Sequence, residues 1–418
     1  MSTLRTLSLA GLLAMSATVG AIAQDVVNLR YAIWDQSQVP TFEKLIAVFE
    51  EANPNVNVDM QVTPFTNYWT KLQTQAGNGD LPDVFWMNPF NFPLYASQGV
   101  IAPIDDLAAA SGFDVEAIPQ QMRDIYSYDG NLYALPNNRD AIVVWYNKKL
   151  FADAGVAEPA ADWTWADFQD AAQKLTNNEA GIWGTAAQMN FRATFLNTIY
   201  QAGGTVLSED KATAQWDTDA ARQGVQFWVD LANAGATPTL EQLASTDESS
   251  LFMSGKVAMI WTGSWMGITY KGSELAANGQ LGVVGLPKGP DNSAASTSSL
   301  GNVLSPLTEH ADEAYAFIEF LGSKEAADIY TQGGIALSAY PEFDQNFVDY
   351  FAGAFDAQPI SDQIAKTFNM PVSLNSSVWQ KAINERMAPV WLGQTPVEEG
   401  LAALQADMQA ALEEEANL

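Results

Sequence analysis

Strand-like and helix-like segments alternate over the first third of the chain. The runs VVNLRYAIWD and NVNVDMQVTP have strand character, and between them Phe42, Leu45, Ile46 and Phe49 recur at helical spacing. A further helix beginning near Tyr68 precedes a third strand-like run, DVFWMN. Alternation of this kind predicts a parallel sheet covered by helices, with ligand sites beyond the carboxyl ends of the strands.

The length and composition predict two lobes. The chain has 418 residues and 48% hydrophobic composition, which is too large for one small domain. Strand-like runs recur in LYALP, AIVVWYN, KVAMIWTGSW and LGVVGLP, with helical segments among them. The long polar loop PKGPDNSAASTSS, residues 287–299, is a candidate crossing between the lobes.

The charge balance excludes some partners. There are 49 acidic and 19 basic residues, a formal net charge of -30, and no cluster of Lys and Arg. Nucleic acid needs such clusters to neutralise its phosphates, so we expect no nucleic-acid partner. With no Cys there is no disulfide framework, no thiol chemistry and no cysteine for a lipid anchor.

The opening segment MSTLRTLSLAGLLAMSATVGAIAQ has the layout of a secretory signal peptide. A positive charge at Arg5 precedes an apolar stretch, and the small residues Ala21 and Ala23 form a cleavage motif before Gln24. We therefore expect residues 1–23 to be removed on export. The expected product is a free soluble protein outside the inner membrane, with no lipid anchor.

Catalytic motifs are missing from the sequence. The single His310 has no second His or Cys to form a transition-metal site, and no nucleophile elbow, phosphate loop or zinc-protease pattern occurs. Pairs of carboxylates are uninformative among 49 acidic residues. The sequence gives no positive sign of an enzyme, a metal site or a cofactor.

Tryptophan beside short polar residues is the most informative pattern. Among 13 Trp, Trp34 precedes Asp35, Trp86 lies near Asn88, and Trp261 and Trp265 flank small polar residues, all at predicted strand ends. Sugars pack their C–H faces on aromatic rings and exchange hydrogen bonds with Asp, Asn, Gln and Arg. These pairs therefore predict a carbohydrate site.

Other tryptophans have structural explanations. In DWTWADF, Thr164 and Asp167 predict a capping box, with Trp163 packing on Phe168 as a hydrophobic staple. Neither Trp163 nor the following Trp165 is expected to touch a ligand. Two further tryptophans are expected in the core because their neighbours have helix and strand periodicity: Trp228 and Trp145.

Four ordered segments resemble the extracellular solute-binding proteins of ABC sugar importers, the family that includes maltose-binding protein. They are FEEANPNVNVDMQVTPFTNYWTKLQTQAGNGDLPDVFWMN, DGNLYALPNNRDAIVVWYNKKLFADAGV, FMSGKVAMIWTGSWM and VWLGQTPVEEGLAALQADMQAAL. The resemblance implies an α/β fold of two lobes joined by crossing segments, with the ligand between them. The expected first lobe is 24–138 plus 298–333, and the second is 139–297 plus 334–418.

The resemblance also implies ligand contacts. Asp140, in ALPNNRD at the first crossing, matches an acidic position that takes a sugar hydroxyl, and Asn88 stands where many relatives have Asp. Trp265 and Trp379 resemble stacking aromatics of the second lobe. The full set of expected ligand-binding residues is Trp34, Asp35, Gln38, Tyr68, Trp86, Asn88, Asn137, Arg139, Asp140, Arg192, Trp261, Trp265, Asn302 and Trp379. Either Tyr68 or its neighbour Trp69 is expected to face the ligand.

The expected function is capture of a neutral carbohydrate. Aromatic and polar pairs on both sides of the expected cleft favour a di- or oligosaccharide, which a monomeric receptor would deliver to an ABC permease in the inner membrane. Two alternatives remain open at this stage. One is a receptor of the same fold for a polyol or a sugar-linked compatible solute, and the other is an enzyme acting on extracellular polysaccharide.

Overall fold

The computed structural model describes residues 26–417, so the expected signal peptide, residues 1–23, lies outside the described part of the chain. Its strands are β1 (Val27–Ile33), β2 (Val56–Val62), β3 (Val84–Met87), β4 (Ser127–Tyr128), β5 (Asn131–Leu132), β6 (Ala134–Pro136), β7 (Asn138–Arg139), β8 (Ile142–Asn147), β9 (Trp183–Thr185), β10 (Val257–Gly263), β11 (Leu281–Val284), β12 (Ala295–Thr297), β13 (Gly301–Leu304), β14 (Leu337–Ser338) and β15 (Thr367–Asn369).

Helices alternate with these strands. They are α1 (Val39–Ala52), α2 (Phe65–Asn78), α3 (Phe92–Ser97), α4 (Asp105–Ser111), α5 (Gln120–Arg123), α6 (Lys148–Ala154), α7 (Trp165–Leu175), α8 (Phe195–Gln201), α9 (Asp219–Asn233), α10 (Leu240–Ser245), α11 (Glu248–Met253), α12 (Gly267–Lys271), α13 (Glu274–Ala277), α14 (Ala311–Leu321), α15 (Lys324–Gln332), α16 (Asp344–Phe351), α17 (Gln358–Ile364), α18 (Ser376–Trp391) and α19 (Val397–Glu415). Within residues 26–417, no helix is long and apolar enough to span a membrane.

The first sheet places two predicted strand ends side by side. Its strand order is β2-β1-β3-β13-β6, and β1 pairs in parallel with both β2 and β3. Because neighbouring parallel strands end at the same edge of a sheet, Trp34 after β1 and Asn88 after β3 emerge together. The late strand β13 is inserted antiparallel between β3 and β6.

The second sheet is mostly antiparallel, unlike the parallel arrangement that the alternation predicts for the start of the chain. Its strand order is β11-β8-β10-β9, with β8 antiparallel to β10 and β11 and only β9 parallel to β10. Ile142 at the start of β8 pairs with Gly263 at the end of β10. This register brings Asp140, just before β8, to the same edge as Trp265, just after β10.

Two separate hydrophobic cores lie beneath the two sheets. The first contains residues between Leu29 and Leu135 together with residues between Val303 and Tyr340. The second contains residues between Ala141 and Ala295, Leu337, and residues between Phe347 and Leu412. The chain therefore passes between the lobes at β7, at residues 298–300 and near β14. Ile335, Ala336 and Ala339 pack on the first core, slightly beyond the expected boundary at 333/334.

The capping prediction for DWTWADF is confirmed. The Thr164 hydroxyl accepts a hydrogen bond from the Asp167 backbone N–H, and the Asp167 carboxylate accepts one from the Thr164 backbone N–H at 2.8 Å. The rings of Trp163 and Phe168 meet edge to face at 5.5 Å. The start of α7 is thus explained by folding alone.

Thr164→Ala is expected to lower the free energy of unfolding by about 1 kcal/mol, because the N-cap acceptor of α7 is lost. Urea denaturation measures this change. Ligand affinity should stay unchanged, so the variant is a control for stability loss away from the cleft. Weakened ligand binding would show that the start of α7 affects the binding site and that the variant is not a valid control.

Candidate ligand-binding site

A cavity of about 480 Å³ lies between the two lobes. Its walls come from the first lobe, the crossing segments and the second lobe. The lining residues are Trp34, Asp35, Ser37, Gln38, Phe65, Asn88, Asn138, Asp140, Arg192, Trp265, Met266, Thr269, Ser298, Leu300, Ile335 and Ala336. Seven expected ligand-binding residues therefore meet in one cleft.

The end of β1 forms the aromatic part of the first-lobe wall. Trp34 is half-buried, and its ring contacts Phe65 at 5.6 Å and Tyr68 at 5.0 Å between centroids. Phe65, at the start of α2, is 51% exposed, which is unusual for a large apolar side chain. Trp34 and Phe65 together give the cleft an apolar surface suited to the C–H face of a sugar.

Asp35 organises the turn that follows Trp34. One carboxylate oxygen accepts hydrogen bonds from the Ser37 backbone N–H at 2.9 Å and from the Ser37 hydroxyl at 2.7 Å. The other accepts from Gln38 Nε2 at 3.0 Å. Gln38 is buried and its Oε1 has no hydrogen-bond partner among the described residues. A buried, unpartnered acceptor at the cavity wall is a place for a ligand hydroxyl to donate.

Asp35→Ala is expected to weaken ligand binding by about 1–3 kcal/mol, because ligand and Gln38 groups lose a hydrogen-bond acceptor. Titration calorimetry measures the change. The substitution also removes the cap of the turn at Ser37, so some stability loss is expected as well. Thr164→Ala is the control, since it removes a cap outside the cleft. Unchanged affinity would remove Asp35 from the site.

Asp140, Arg192 and Trp265 form a connected cluster on the opposite side. Arg192 Nη2 donates to Asp140 Oδ1 at 2.5 Å, and the Ser298 backbone N–H donates to the same oxygen at 2.7 Å. The guanidinium carbon of Arg192 lies 4.7 Å from the centroid of the Trp265 ring. Arg192 Nε is buried and has no hydrogen-bond partner within residues 26–417, and the Arg192 side chain lines the cavity.

Burial governs the acid–base behaviour of Asp140. Desolvation raises the pKa of this carboxyl above its ordinary value of 3.8, while the Arg192 charge and the Ser298 N–H oppose that effect. The Arg192 contact favours the ionised carboxylate, and the ionised carboxylate in turn orients Arg192.

Lowering the pH is expected to weaken ligand binding before ordinary carboxyls titrate. As the pH falls through the raised pKa, Asp140 takes up a proton and loses its pairing with Arg192. If only the ionised form binds, affinity falls about tenfold for each further pH unit. Calorimetric titrations at stepped pH values test this. Affinity that stays constant down to pH 3.8 would contradict a role for ionised Asp140.

Asn88 helps to close the first-lobe wall. Its Oδ1 accepts hydrogen bonds from the backbone N–H and the side-chain amide of Asn91, at 2.9 and 3.0 Å. No partner for its amide nitrogen occurs among the described residues. Asn88 can therefore offer a donor to a ligand while its oxygen holds the turn.

Two expected first-lobe contacts lie in the core instead. Trp86 is 0% exposed, and its indole N–H donates to the Tyr31 hydroxyl at 2.6 Å. The Tyr68 hydroxyl donates to the backbone oxygens of Ala32 and Trp86. Both rings pack behind Trp34, and neither lines the cavity. Trp69, the alternative to Tyr68, also contacts Trp34 without lining the cavity.

Asn302 is likewise placed away from the cavity. It is 1% exposed, and its Oδ1 accepts a hydrogen bond from the Tyr31 hydroxyl at 2.8 Å. This bond joins β13 to β1 inside the first lobe, so the side chain has a structural role. Leu300, two residues earlier, lines the cavity in its place.

The aromatic side chains expected from the second lobe are only partly at the cleft. Trp261 and Trp379 are both 0% exposed and belong to the second core. Trp261 meets Trp228 edge to face at 4.9 Å. Of these expected second-lobe aromatics, only Trp265 lines the cavity.

The first crossing segment alternates between cleft and interior. Asn138 and Asp140 line the cavity, whereas Asn137 and Arg139 do not. Arg139 donates through Nε to the Ser338 oxygen at 2.6 Å and pairs with Asp344, tying the first crossing to the third. Asn137 is buried beside Leu300. Successive side chains of an extended segment point to opposite sides, which explains the alternation.

Sequence reasoning missed Asn138, although the period of two gives a signal for it. Its Oδ1 accepts a hydrogen bond from the Leu300 backbone N–H at 2.7 Å, and its amide nitrogen donates to the Tyr330 hydroxyl at 3.1 Å. Once Asp140 faces the cleft, Asn138 must share that side. No motif distinguishes the other missed lining residues, which are Ser37, Phe65, Met266, Thr269, Ser298, Leu300, Ile335 and Ala336.

A larger hollow, of about 840 Å³, lies elsewhere between Tyr128 of the first lobe and Lys211 of the second. Three of its four acidic lining residues already have partners: Asp124 accepts from the Gln120 side chain, Asp210 from the Ala212 N–H and Glu415 from the Ser373 hydroxyl. Within residues 26–417, none of its lining residues has a buried polar side-chain atom without a partner. The smaller cleft, with Gln38 and Arg192, is therefore the better candidate.

Two α/β lobes, chain crossings between them and a cavity lined from both sides define a two-lobed binding protein. The chain belongs to the family of bacterial extracellular solute-binding proteins, whose model matches residues 35–328. Among the described residues, no group of three or more His, Asp or Glu is arranged to hold a metal ion.

Relatives and solved structures agree with this family. A Brucella abortus protein, named as a binding protein without a ligand, is 25% identical over 333 residues, covering 77% of this chain and 79% of its own. The mannitol-binding protein of Pseudomonas aeruginosa is 25% identical over 245 residues, covering 57% and 55%. The structure of an ABC substrate-binding protein from Listeria monocytogenes in complex with cycloalternan superposes with a TM-score of 0.86 at 25% identity, covering 93% of this chain and 100% of that one.

Proposed function

We propose that this protein captures a neutral carbohydrate in the cleft between Trp34 and Arg192 and delivers it to an ABC permease in the inner membrane. One observation supports this above all others. The cleft combines exposed aromatic surface with unpartnered hydrogen-bonding groups of both kinds, an acceptor at Gln38 and a donor at Arg192. A sugar hydroxyl is both donor and acceptor, so it satisfies each of them.

The charges of the cleft favour a neutral ligand. Its charged lining residues are Asp35, Asp140 and Arg192. Arg192 is already paired with Asp140 at 2.5 Å, so no unpaired cation is offered to an anionic ligand. Asp35 is engaged by Ser37 and Gln38, which are neutral. A cationic ligand would have only this one carboxylate as a partner.

The relatives support ligands rich in hydroxyl groups. One is named for mannitol, and the solved Listeria structure contains cycloalternan. Because mannitol is a polyol, a polyol is the second candidate ligand for the same cleft. The architecture also suits closure of the two lobes on the ligand by bending at the crossing segments.

The remaining parts of the proposal concern location and assembly. We assign residues 1–23 to a signal peptide and place the mature monomer in the periplasm, free of a lipid anchor. We assign the lobes as 24–138 plus 298–333 and 139–297 plus 334–418; the two cores support this division except at Ile335, Ala336 and Ala339, which pack on the first core. The protein is proposed to bind its ligand without converting it.

A thermal-shift screen of residues 24–418 tests the proposal. The panel contains neutral mono-, di- and oligosaccharides, polyols, and charged sugars and amino acids as controls. A ligand at a hundred times its dissociation constant stabilises the folded state by about 2.7 kcal/mol, which is readily visible. We expect shifts with neutral carbohydrates or polyols alone. A shift confined to charged solutes would overturn the proposal, as would the appearance of new reducing ends in an incubated oligosaccharide.

A further inference from the structure

The Trp265 side chain is partly buried, and neighbouring groups lie against its ring. A Cβ atom added at Gly263 would lie 1.9 Å from the ring atom Cζ3, so the indole packs directly against the Gly263 backbone. The guanidinium of Arg192 lies over the same ring, with its carbon 4.7 Å from the centroid. A guanidinium within about 6 Å of an indole centroid makes a favourable cation–π contact. Arg192 therefore competes with a ligand for the surface of the Trp265 ring.

Arg192 is held in that position. Its Nη2 bonds Asp140, which also accepts from the Ser298 N–H through its side chain and from the Thr297 hydroxyl through its backbone oxygen. The Arg192 and Asp140 side chains are only 22% and 13% exposed. Moving the guanidinium off Trp265 would separate a largely buried ion pair, which is costly. The covering is thus part of the architecture of the cleft.

The two walls of the cleft consequently differ in the aromatic surface they offer. On the first lobe, Trp34 and the 51% exposed Phe65 line the cavity. On the second lobe, Trp265 lines the cavity with Arg192 over its ring. A ligand can stack on the first-lobe wall but meets a cation on the second. A short saccharide can place one sugar face on the first-lobe rings, whereas each added sugar unit of a longer one gains most where a further aromatic face is open.

We propose that Arg192 is a specificity-determining residue, which covers Trp265 and thereby restricts the cleft to ligands of one or two sugar units or a polyol of similar size. This inference rests on the proposed function and narrows its substrate class. The unpartnered Nε of Arg192 supplies a donor for one ligand hydroxyl. In this proposal, Arg192 reduces the Trp265 surface on which a sugar could stack and offers the ligand a hydrogen bond instead.

Titration calorimetry with a neutral mono-, di- and trisaccharide series of one linkage tests this proposal. The quantity to compare is the ratio of trisaccharide to disaccharide dissociation constants, because Arg192→Ala also leaves Asp140 without a partner and weakens all binding. We expect the unaltered protein to prefer the shorter ligands. Arg192→Ala should shift the ratio towards the trisaccharide by about tenfold, equivalent to about 1.4 kcal/mol.

The Trp265→Ala background isolates the mechanism. If Arg192 acts by covering the indole, adding Arg192→Ala to Trp265→Ala should leave the ratio unchanged. Arg192→Lys keeps a cation for Asp140 but lacks the planar group, and it should give an intermediate shift even if the alanine variant folds poorly. Thermal unfolding of each variant without ligand checks its folding.

The outcomes separate this inference from the proposed function. If the unaltered protein binds no carbohydrate or polyol, the proposed function fails and the inference with it. If it binds them but prefers the trisaccharide, or if Arg192→Ala and Arg192→Lys weaken all ligands by one common factor, the inference is overturned and the proposed function stands.

Discussion

Trp86→Ala is expected to lower the free energy of unfolding by about 3–5 kcal/mol, the usual cost of truncating a fully buried Trp. Trp86 is 0% exposed in the centre of the five-stranded sheet. Its ring meets Trp34 at 4.8 Å and Phe42 at 5.3 Å, and its indole N–H donates to the Tyr31 hydroxyl. The substitution leaves a cavity, and the Tyr31 hydroxyl loses the indole donor while keeping its bond to Asn302. Urea denaturation without ligand measures the loss.

Trp34→Ala is the matched variant on the neighbouring strand. Trp34 lines the cleft and is only half-buried, so we expect its main effect on ligand affinity, about 2 kcal/mol or more, as for an aromatic anchor in a binding site. The two variants should therefore separate stability from binding. A Trp86→Ala protein that is as stable as the unaltered one but binds ligand poorly would place Trp86 in the cleft after all.

Asp140→Ala is expected to abolish measurable ligand binding and to cost about 3 kcal/mol of stability, because it leaves the Arg192 guanidinium without its partner in a largely buried position. The Ser298 backbone N–H also loses its acceptor. Titration calorimetry and thermal unfolding measure the two effects.

Asp140→Asn is the control for this prediction. The Asn oxygen can still accept neutral hydrogen bonds from Ser298 and Arg192, so the stability loss should be smaller than for Asp140→Ala, while the loss of charge weakens the hold on Arg192 and with it ligand binding. Binding by Asp140→Ala with unaltered affinity would show that the cluster of Asp140, Arg192 and Trp265 does not contribute to the site.

The first-lobe wall is predictable from the sequence because its residues follow strands that are close together along the chain. Parallel pairing follows from strand–helix–strand alternation, and it places Trp34 and Asn88 at one edge. The sequence predicts a ligand contact for Trp86 because Trp86 and Asn88 lie on the same side of the strand. A central strand covered on both faces is buried throughout, and that burial depends on the helices packed over it rather than on the strand's own sequence.

The second-lobe wall depends on contacts between distant segments. Arg192 meets Trp265 because β8 and β10 pair antiparallel and because Asp140 fixes the guanidinium, and no local pattern encodes these contacts. The sequence predicts ligand contacts for Trp261 and Trp379, but both side chains are buried in the core of the second lobe. Side chains alternate between the two sides of an extended segment. If Asp140 faces the cleft, Asn137 and Arg139 therefore face away from it, and this rule predicts their position correctly.

The most direct test of the central claim is a crystal structure grown with the neutral carbohydrate or polyol that gives the largest thermal shift. We predict that this ligand lies between the lobes, contacting Trp34, Asp35 and Gln38 on one side and Asp140 and Arg192 on the other. Ligand density in the hollow between Tyr128 and Lys211, with the cleft at Arg192 empty, would contradict the account.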